Sequence, residues 1–268
     1  MTAMRNAITR ILPALLTIVL LIAAHGCAHV GDGPAANPMG ILIPAYFYPT
    51  WWDAGTNRWD ELVTAAKKVD LVAIMNPDSG PGTSQNSDYV TAVTQMRGAG
   101  GRVIGYVPTT YGDRDAADCR GDIDAYYAWY AVDGIFFDEM STDTGKINYY
   151  RDLRDYVTGK DASAFITGNA GVNTDAGYID TADLLVIFEQ STGYDAWEPS
   201  AWVRSFPDER FCNLVYGVST KATMESYVEL ARTRNIGCVF ITDDTLENPW
   251  NTLPEYWEDE VAFVAGRR

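Results

Sequence analysis

From residue 39 onward, short apolar, β-branched runs alternate with segments of helical spacing, and this constrains the fold more than any other feature. The strand candidates are GILIPAYFY (40–48), DLVAIMN (70–76), RVIGYV (102–107), DGIFFD (133–138), SAFITGN (163–169), DLLVIFE (183–189), CNLVYGV (212–218) and GCVFIT (237–242). Helical segments are expected to begin near Arg58, Ser87, Asp122, Gly145, Asp175, Tyr194, Lys221 and Thr252. Several of these starts carry Ser, Thr or Asp, whose side chains cap free helical N–H groups. The strand runs are continuously apolar, as expected for strands covered on both faces. Strand–helix alternation predicts a parallel sheet. Eight repeats in a chain of 268 residues predict a single-domain (β/α)8 TIM barrel over 39–268, because such barrels take about 250 residues. An open doubly wound sheet fits less well, since no GxGxxG follows the first strand.

In such a barrel, chemistry gathers where the strands end. Those ends supply Tyr46 and Tyr48 (followed by Trp51 and Trp52), Asn76, Tyr106 with Tyr111 and Arg114, Asp138 with Glu139, Asn169, Glu189, Tyr216, and Asp243 with Trp250. The strand starts carry Asp70, Asp133 and Asp183 instead. A lone carboxylate after a strand is ordinarily a cap or a solvated loop residue, and Asp243 and Asp244 fit that description. Carboxylates closing the fourth and sixth strands are different, because their side chains can converge on one ligand.

Histidine sharpens the reading by its position. The two in the chain, His25 and His29, precede the barrel, so residues 39–268 contain none. Ser-His-Asp and Cys-His nucleophile systems and HExxH metal sites are thereby excluded from the domain. Acid–base work falls to carboxylates, Tyr, Lys or Cys. Two converging carboxylates beside aromatic platforms suit glycoside hydrolysis, in which one group protonates the leaving oxygen and the other attacks or activates water. With 16 Tyr and 8 Trp, rings for stacking on sugars are plentiful. The loop NPDSGPG (76–82) lacks the GK[ST] ending of a phosphate loop and reads as a rigid turn. No cofactor is indicated. A metal held by Asp138, Glu139 and Asp243 is a weaker alternative, since hard cations usually gather more oxygen ligands.

The net charge of −16 argues against a nucleic-acid partner, which needs a basic surface. Arg5 and Arg10 precede the apolar run at 11–24, and small residues follow. That is the order of a secretory signal over 1–26, and the run is short for a membrane span of roughly 20 residues. The ending Ala24-His25-Gly26-Cys27 resembles a bacterial lipobox, with Cys27 lipidated and 28–38 forming a flexible tether. The mature protein is expected outside the cell, either held to the envelope by that anchor or freely secreted. Cys212 and Cys238 open neighbouring strands, so they are the better pair for a disulfide, with three free thiols (Cys119 included) as the alternative.

The segments IPAYFYP, NPDSGPG with Asp88 and Tyr89, GYVPTTYGDR (105–114), VDGIFFDE (132–139) and the late ITDD–NPW region resemble the spherulin-4 family of glycoside hydrolases, from about residue 41 to 257. The resemblance implies a (β/α)8 barrel and an endo-acting α-1,4-galactosaminidase. Characterised relatives cut galactosamine-containing exopolysaccharides such as galactosaminogalactan and Pel. It also implies Asp138 as nucleophile, Glu189 as acid/base and Glu139 as a supporting carboxylate. A retaining mechanism and a role in biofilm carbohydrate metabolism follow as expectations. The strongly acidic composition suits a partly deacetylated, cationic polymer. The expected partner is an amino-sugar polysaccharide, bound by a monomer with Tyr46, Tyr48, Asn76, Tyr106, Tyr111, Arg114, Asn169, Tyr216, Asp243 and Trp250 lining its path. The competing expectation is a non-catalytic polysaccharide-binding envelope protein on the same barrel.

Overall fold

The computed structural model describes residues 39–50 and 57–266. The signal, tether, Cys27, Trp51 and Trp52 lie outside the described residues.

Eight parallel strands close into one barrel in sequential order. They are β1 (Gly40–Ala45), β2 (Leu71–Met75), β3 (Arg102–Pro108), β4 (Gly134–Asp138), β5 (Phe165–Asn169), β6 (Leu184–Gln190), β7 (Phe211–Val215) and β8 (Cys238–Ile241). Each falls within two residues of a run picked out by apolar content, apart from the C-terminal ends of the β1 and β7 runs. Those ends leave the sheet early, and Tyr46, Tyr48 and Tyr216 stand on the exits. The strands are buried almost throughout, as the unbroken apolar runs require.

The described helices number six, not eight: α1 (Arg58–Ala66), α2 (Ser87–Gly98), α3 (Ala116–Tyr130), α4 (Ile147–Lys160), α5 (Lys221–Thr233) and α6 (Trp257–Ala265). The helices expected near Asp175 and Tyr194 are replaced by 3-10 turns at Ala176–Thr181, Ala201–Ser205 and Asp208–Arg210. Pro199 and Pro207 bracket the middle of these turns, and proline disfavours helix in the residue before it. The helix α3 begins at Ala116, earlier than Asp122, because Asp115 caps it by accepting from the Ala117 N–H. By contrast, α6 starts five residues later than Thr252.

The acids at the strand starts hold the N-terminal end of the barrel together. Asp133 accepts from the Val103 N–H and Asp183 from the Ile166 N–H, each across to the preceding strand. Arg97 pairs with Asp133, Arg102 with Asp70 and Arg154 with Asp183. Cys212 and Cys238 are register partners across β7 and β8, yet both are free buried thiols, as is Cys119. The disulfide expectation therefore gives way to its alternative.

Candidate active site

Asp138 is the last residue of β4, Asn169 the last of β5, and Glu189 lies near the end of β6. A bulge between Val186 and Phe188 shifts the register of β6 against β7 just before Glu189. Bulges re-aim the side chains that follow them. Glu189 then meets Asn169, whose Nδ2 donates at 2.5 Å to Glu189 Oε2 and at 2.8 Å to Asp138 Oδ1. Two bonds to one nitrogen hold those oxygens within about 5.3 Å of each other, the sum of the two lengths.

Burial dominates the electrostatics. It raises the Asp138 pKa, against hydrogen bonds from the Tyr106 hydroxyl, the Glu139 backbone N–H and Asn169 that favour the anion. Glu189 is pushed up to about 7, first by burial and then by the charge of Asp138, with Asn169 and the Trp250 indole opposing. Asp138 thus has three donors and Glu189 two, so a proton shared between them belongs on Glu189. Tyr46 and Tyr106 cross edge to face at 5.6 Å, and burial beside Asp138 raises both phenols far above their ordinary value.

Glu139 is placed otherwise than Asp138. Its φ is +52°, in the left-handed region, as are those of Thr110 (+49°) and Tyr111 (+54°). Glu139 Oε2 accepts from the Thr110 N–H, and its carbonyl accepts from the Tyr111 N–H and the Thr109 hydroxyl. This brace ties the loop after β3 to the end of β4. Three adjoining non-glycine residues in a disfavoured conformation carry strain that the braced loop must hold. Tyr111 is thereby presented as an open ring, 63% exposed, beside Asp138. It shares with Asp138, Glu139, Asn169 and Glu189 an open cleft of about 320 Å³.

The other expected residues divide into two groups. Trp250 packs edge-on against Tyr216 at 5.8 Å, and its carbonyl accepts from the Tyr46 N–H, so all three join the rim of the mouth. Tyr48 donates to Asp88 Oδ2 at 2.6 Å and faces a separate open cleft of about 440 Å³ with Asp78 and Asn86. Asn76 accepts from the Gly80 N–H and pins the NPDSGPG turn, which is the rigid-turn role. Arg114 turns away, donating to the Pro108 carbonyl and pairing with Asp122 at 2.7 Å. Asp243 accepts from the Glu255 N–H as a loop tie. Among the described residues no group of three or more acids or cysteines is placed to hold a metal ion.

Three residues of the cleft, Ala170, Gly171 and Val172, escape sequence reasoning, whereas Gln190 could be read beside Glu189 at the end of the sixth strand. Gly171 has φ +64°, and a Cβ there would lie 3.4 Å from Glu189 Cβ and 3.9 Å from its Oε2. Gln190 sits on the cleft wall beside Glu189. The available signal for Gly171 was a glycine two residues past a strand that ends in asparagine. A larger cavity, about 580 Å³, lies at the opposite end of the barrel. Its arginines are engaged: Arg102 with Asp70, Arg154 with Asp183, and Arg210 with three backbone carbonyls.

The fold and its mouth define a (β/α)8 barrel bearing a half-buried carboxylate pair on β4 and β6. The chain belongs to the spherulation-specific family 4, whose model matches residues 40–264. It is 31% identical over 259 residues to Spherulin-4 of Physarum polycephalum, covering 92% of this chain and 76% of that protein. A crystal structure of Sph3 from Aspergillus clavatus, in complex with GalNAc, superposes with a TM-score of 0.71 at 25% identity. The match covers 85% of this chain and 98% of Sph3. A chitinase from Chromobacterium violaceum shares the fold with a TM-score of 0.55 at 9% identity, over 86% of this chain and all of that one.

Proposed function

We propose that this protein is a retaining, endo-acting glycoside hydrolase that cleaves α-1,4-linked galactosamine or N-acetylgalactosamine polymers. The observation that carries the reading is the Asn169 bridge between the half-buried Asp138 and Glu189 at the floor of an open cleft. Retaining enzymes hold their two carboxyl groups about 5–5.5 Å apart, and inverting ones about 6.5–9.5 Å to admit a water. The bridged oxygens fit the shorter class. The GalNAc bound by Sph3 supports an amino sugar as the substrate.

In the first step Glu189, protonated near neutrality, gives its proton to the glycosidic oxygen as the C1–O bond breaks. Asp138, kept ionisable by its three donors, attacks C1 from the opposite face and forms a glycosyl ester. In the second step Glu189, now ionised, takes a proton from water, and the water displaces Asp138. Two inversions return the α configuration. Tyr111 offers an open ring face to the sugar, and Glu139 holds the loop that presents it.

The test is incubation of the mature domain with defined α-1,4-linked N-acetylgalactosamine oligomers and their partly deacetylated forms, followed by mass spectrometry and proton NMR. Shorter internal fragments with a freshly α reducing end are expected. Asp138→Asn and Glu189→Gln should each lower turnover by about 10²–10⁴-fold, the usual range for an acid–base group. Binding without cleavage by the wild type would replace this reading with a polysaccharide-binding protein. A β reducing end would overturn retention alone. Export and lipidation at Cys27 belong to the same proposal; a fatty-acid label that Cys27→Ala fails to abolish would exclude the anchor.

A further inference from the structure

Asn169 is buried, with 7% of its surface exposed, at the end of the strand between the two that carry the carboxylates. Its Nδ2 has two hydrogens, and both are committed, one to Asp138 and one to Glu189. Its Oδ1 is buried and has no hydrogen-bond partner. The amide orientation follows from charge: turning Oδ1 toward two carboxylates would set three acceptors against one another. An asparagine that bound sugar directly would keep a donor or an accessible acceptor for a hydroxyl. This one keeps neither.

We propose that Asn169 is a positioning residue for the hydrolysis, spacing nucleophile and acid through one nitrogen and holding both poised to ionise, and that it makes no direct contact with the sugar. The proposal rests on the hydrolase reading and adds to it the assignment of what sets the pair. Two like carboxylates this close in a buried site repel one another, and burial alone drives both toward the neutral form. A donor shared between them opposes that drive at both sites. It also directs the acid's proton. A proton on Glu189 Oε2 would face the amide hydrogen, so the bridge disfavours that oxygen as the proton's seat.

Other groups face the pair and stay in place when Asn169 is changed. Tyr106 from β3 and the Glu139 N–H donate to Asp138, whereas the Glu139 charge opposes its ionisation. Tyr46 from β1 lies within the field of both acids. Trp250 donates to Glu189, and the buried Cys212 thiol of β7 is near it. None of these spans the two carboxylates, so only the variant at Asn169 should move both together.

The decisive measurement does not need turnover. Carboxyl carbon NMR titration of the labelled domain, with Asp138 and Glu189 assigned through Asp138→Asn and Glu189→Gln, reads each midpoint directly. In Asn169→Ala both midpoints should rise by about one pH unit, a tenfold change in each ionisation constant. Kinetics should then show kcat reduced about 10²-fold or more with KM within a few-fold, and both limbs of the pH profile moved to higher pH. Unmoved midpoints with a raised KM and an unchanged kcat would overturn the proposal and make Asn169 a sugar ligand. A wild type with no turnover on any oligomer, whose midpoints nonetheless rise together in Asn169→Ala, would remove the hydrolase reading and uphold the bridge. If Asn169→Ala lacks the native near-ultraviolet dichroism, Asn169→Ser carries the same measurements.

Discussion

Glu189 and Asp138 differ in how many donors they face, and that difference should be visible in the pH profile of kcat/KM. In the proposed mechanism Glu189 must be protonated to act as the acid, and burial has pushed it up to about 7. Activity should therefore fall as pH rises through about 7. In the same mechanism Asp138 must be ionised as the nucleophile, and burial raises its pKa, so the acidic limb should lie above the ordinary aspartate value. Tyr106 donates to Asp138 alone of the two. Tyr106→Phe should move the acidic limb up and leave the alkaline limb in place, unlike Asn169→Ala, which should move both. Legibility at this scale was uneven. Asp138, Asn169, Glu189 and Trp250 could be read from strand ends alone. Arg114 and Asp243 stand at strand ends too, but their partners are visible only in three dimensions: Arg114 is taken by Asp122, and Asp243 by the Glu255 N–H.

The strands and helices show where local pattern suffices and where packing overrides it. Continuous apolar runs located all eight strands, because both faces of a barrel strand are buried. The absent helix between β6 and β7 follows from proline, a signal present in the sequence at Pro199 and Pro207, whereas the β5–β6 connection at 170–183 holds no proline and carries no such signal. The β6 bulge has no such signal, and it sets the aim of Glu189. Two strand glycines depend on their neighbours in the same way. At Gly134 a Cβ would lie 1.8 Å from the Phe165 carbonyl oxygen, and at Gly105 it would lie 2.5 Å from the Tyr126 ring. The first obstacle is backbone and cannot swing aside. Gly134→Ala should cost about 3 kcal/mol or more, the upper range for overpacking. That is a fall of about 10 °C in melting temperature for a domain of this size, measurable by calorimetry. Gly105→Ala should cost less, because a ring can tilt.

Across the whole molecule, buried acids with raised pKa values make stability depend on pH in an unusual direction. Glu189 and Glu260 hold protons in the folded chain that they would release when unfolded, and burial raises Asp138 in the same direction. The folded state then binds more protons, so stability is fullest below the ordinary carboxylate pKa and is lost as pH rises through the folded values. For Glu189 that window runs from 4.5 to about 7 and amounts to roughly 3 kcal/mol. Glu260 is fully buried on α6, with Oε1 accepting from the Ile241 N–H and Oε2 without a partner. Melting temperature should rise on going from pH 8 to pH 5.5, and the slope should flatten in Glu189→Gln and in Glu260→Gln. An equal slope in both variants and the wild type would contradict these protonation states.

The sequence by itself determined the barrel, the strand ends at which carboxylates and aromatics gather and the absence of histidine from residues 39–268. These depend on the period of hydrophobicity and on residue type, which are local. Tertiary structure decided which side chains meet: the amide between two acids, the brace from Glu139 to Thr110, the thiols left unpaired, and the arginine directed away from the mouth. Each depends on angles and distances between strands far apart in the chain. A register shift of one residue reverses which way a side chain points, and no residue pattern within a single strand records that shift.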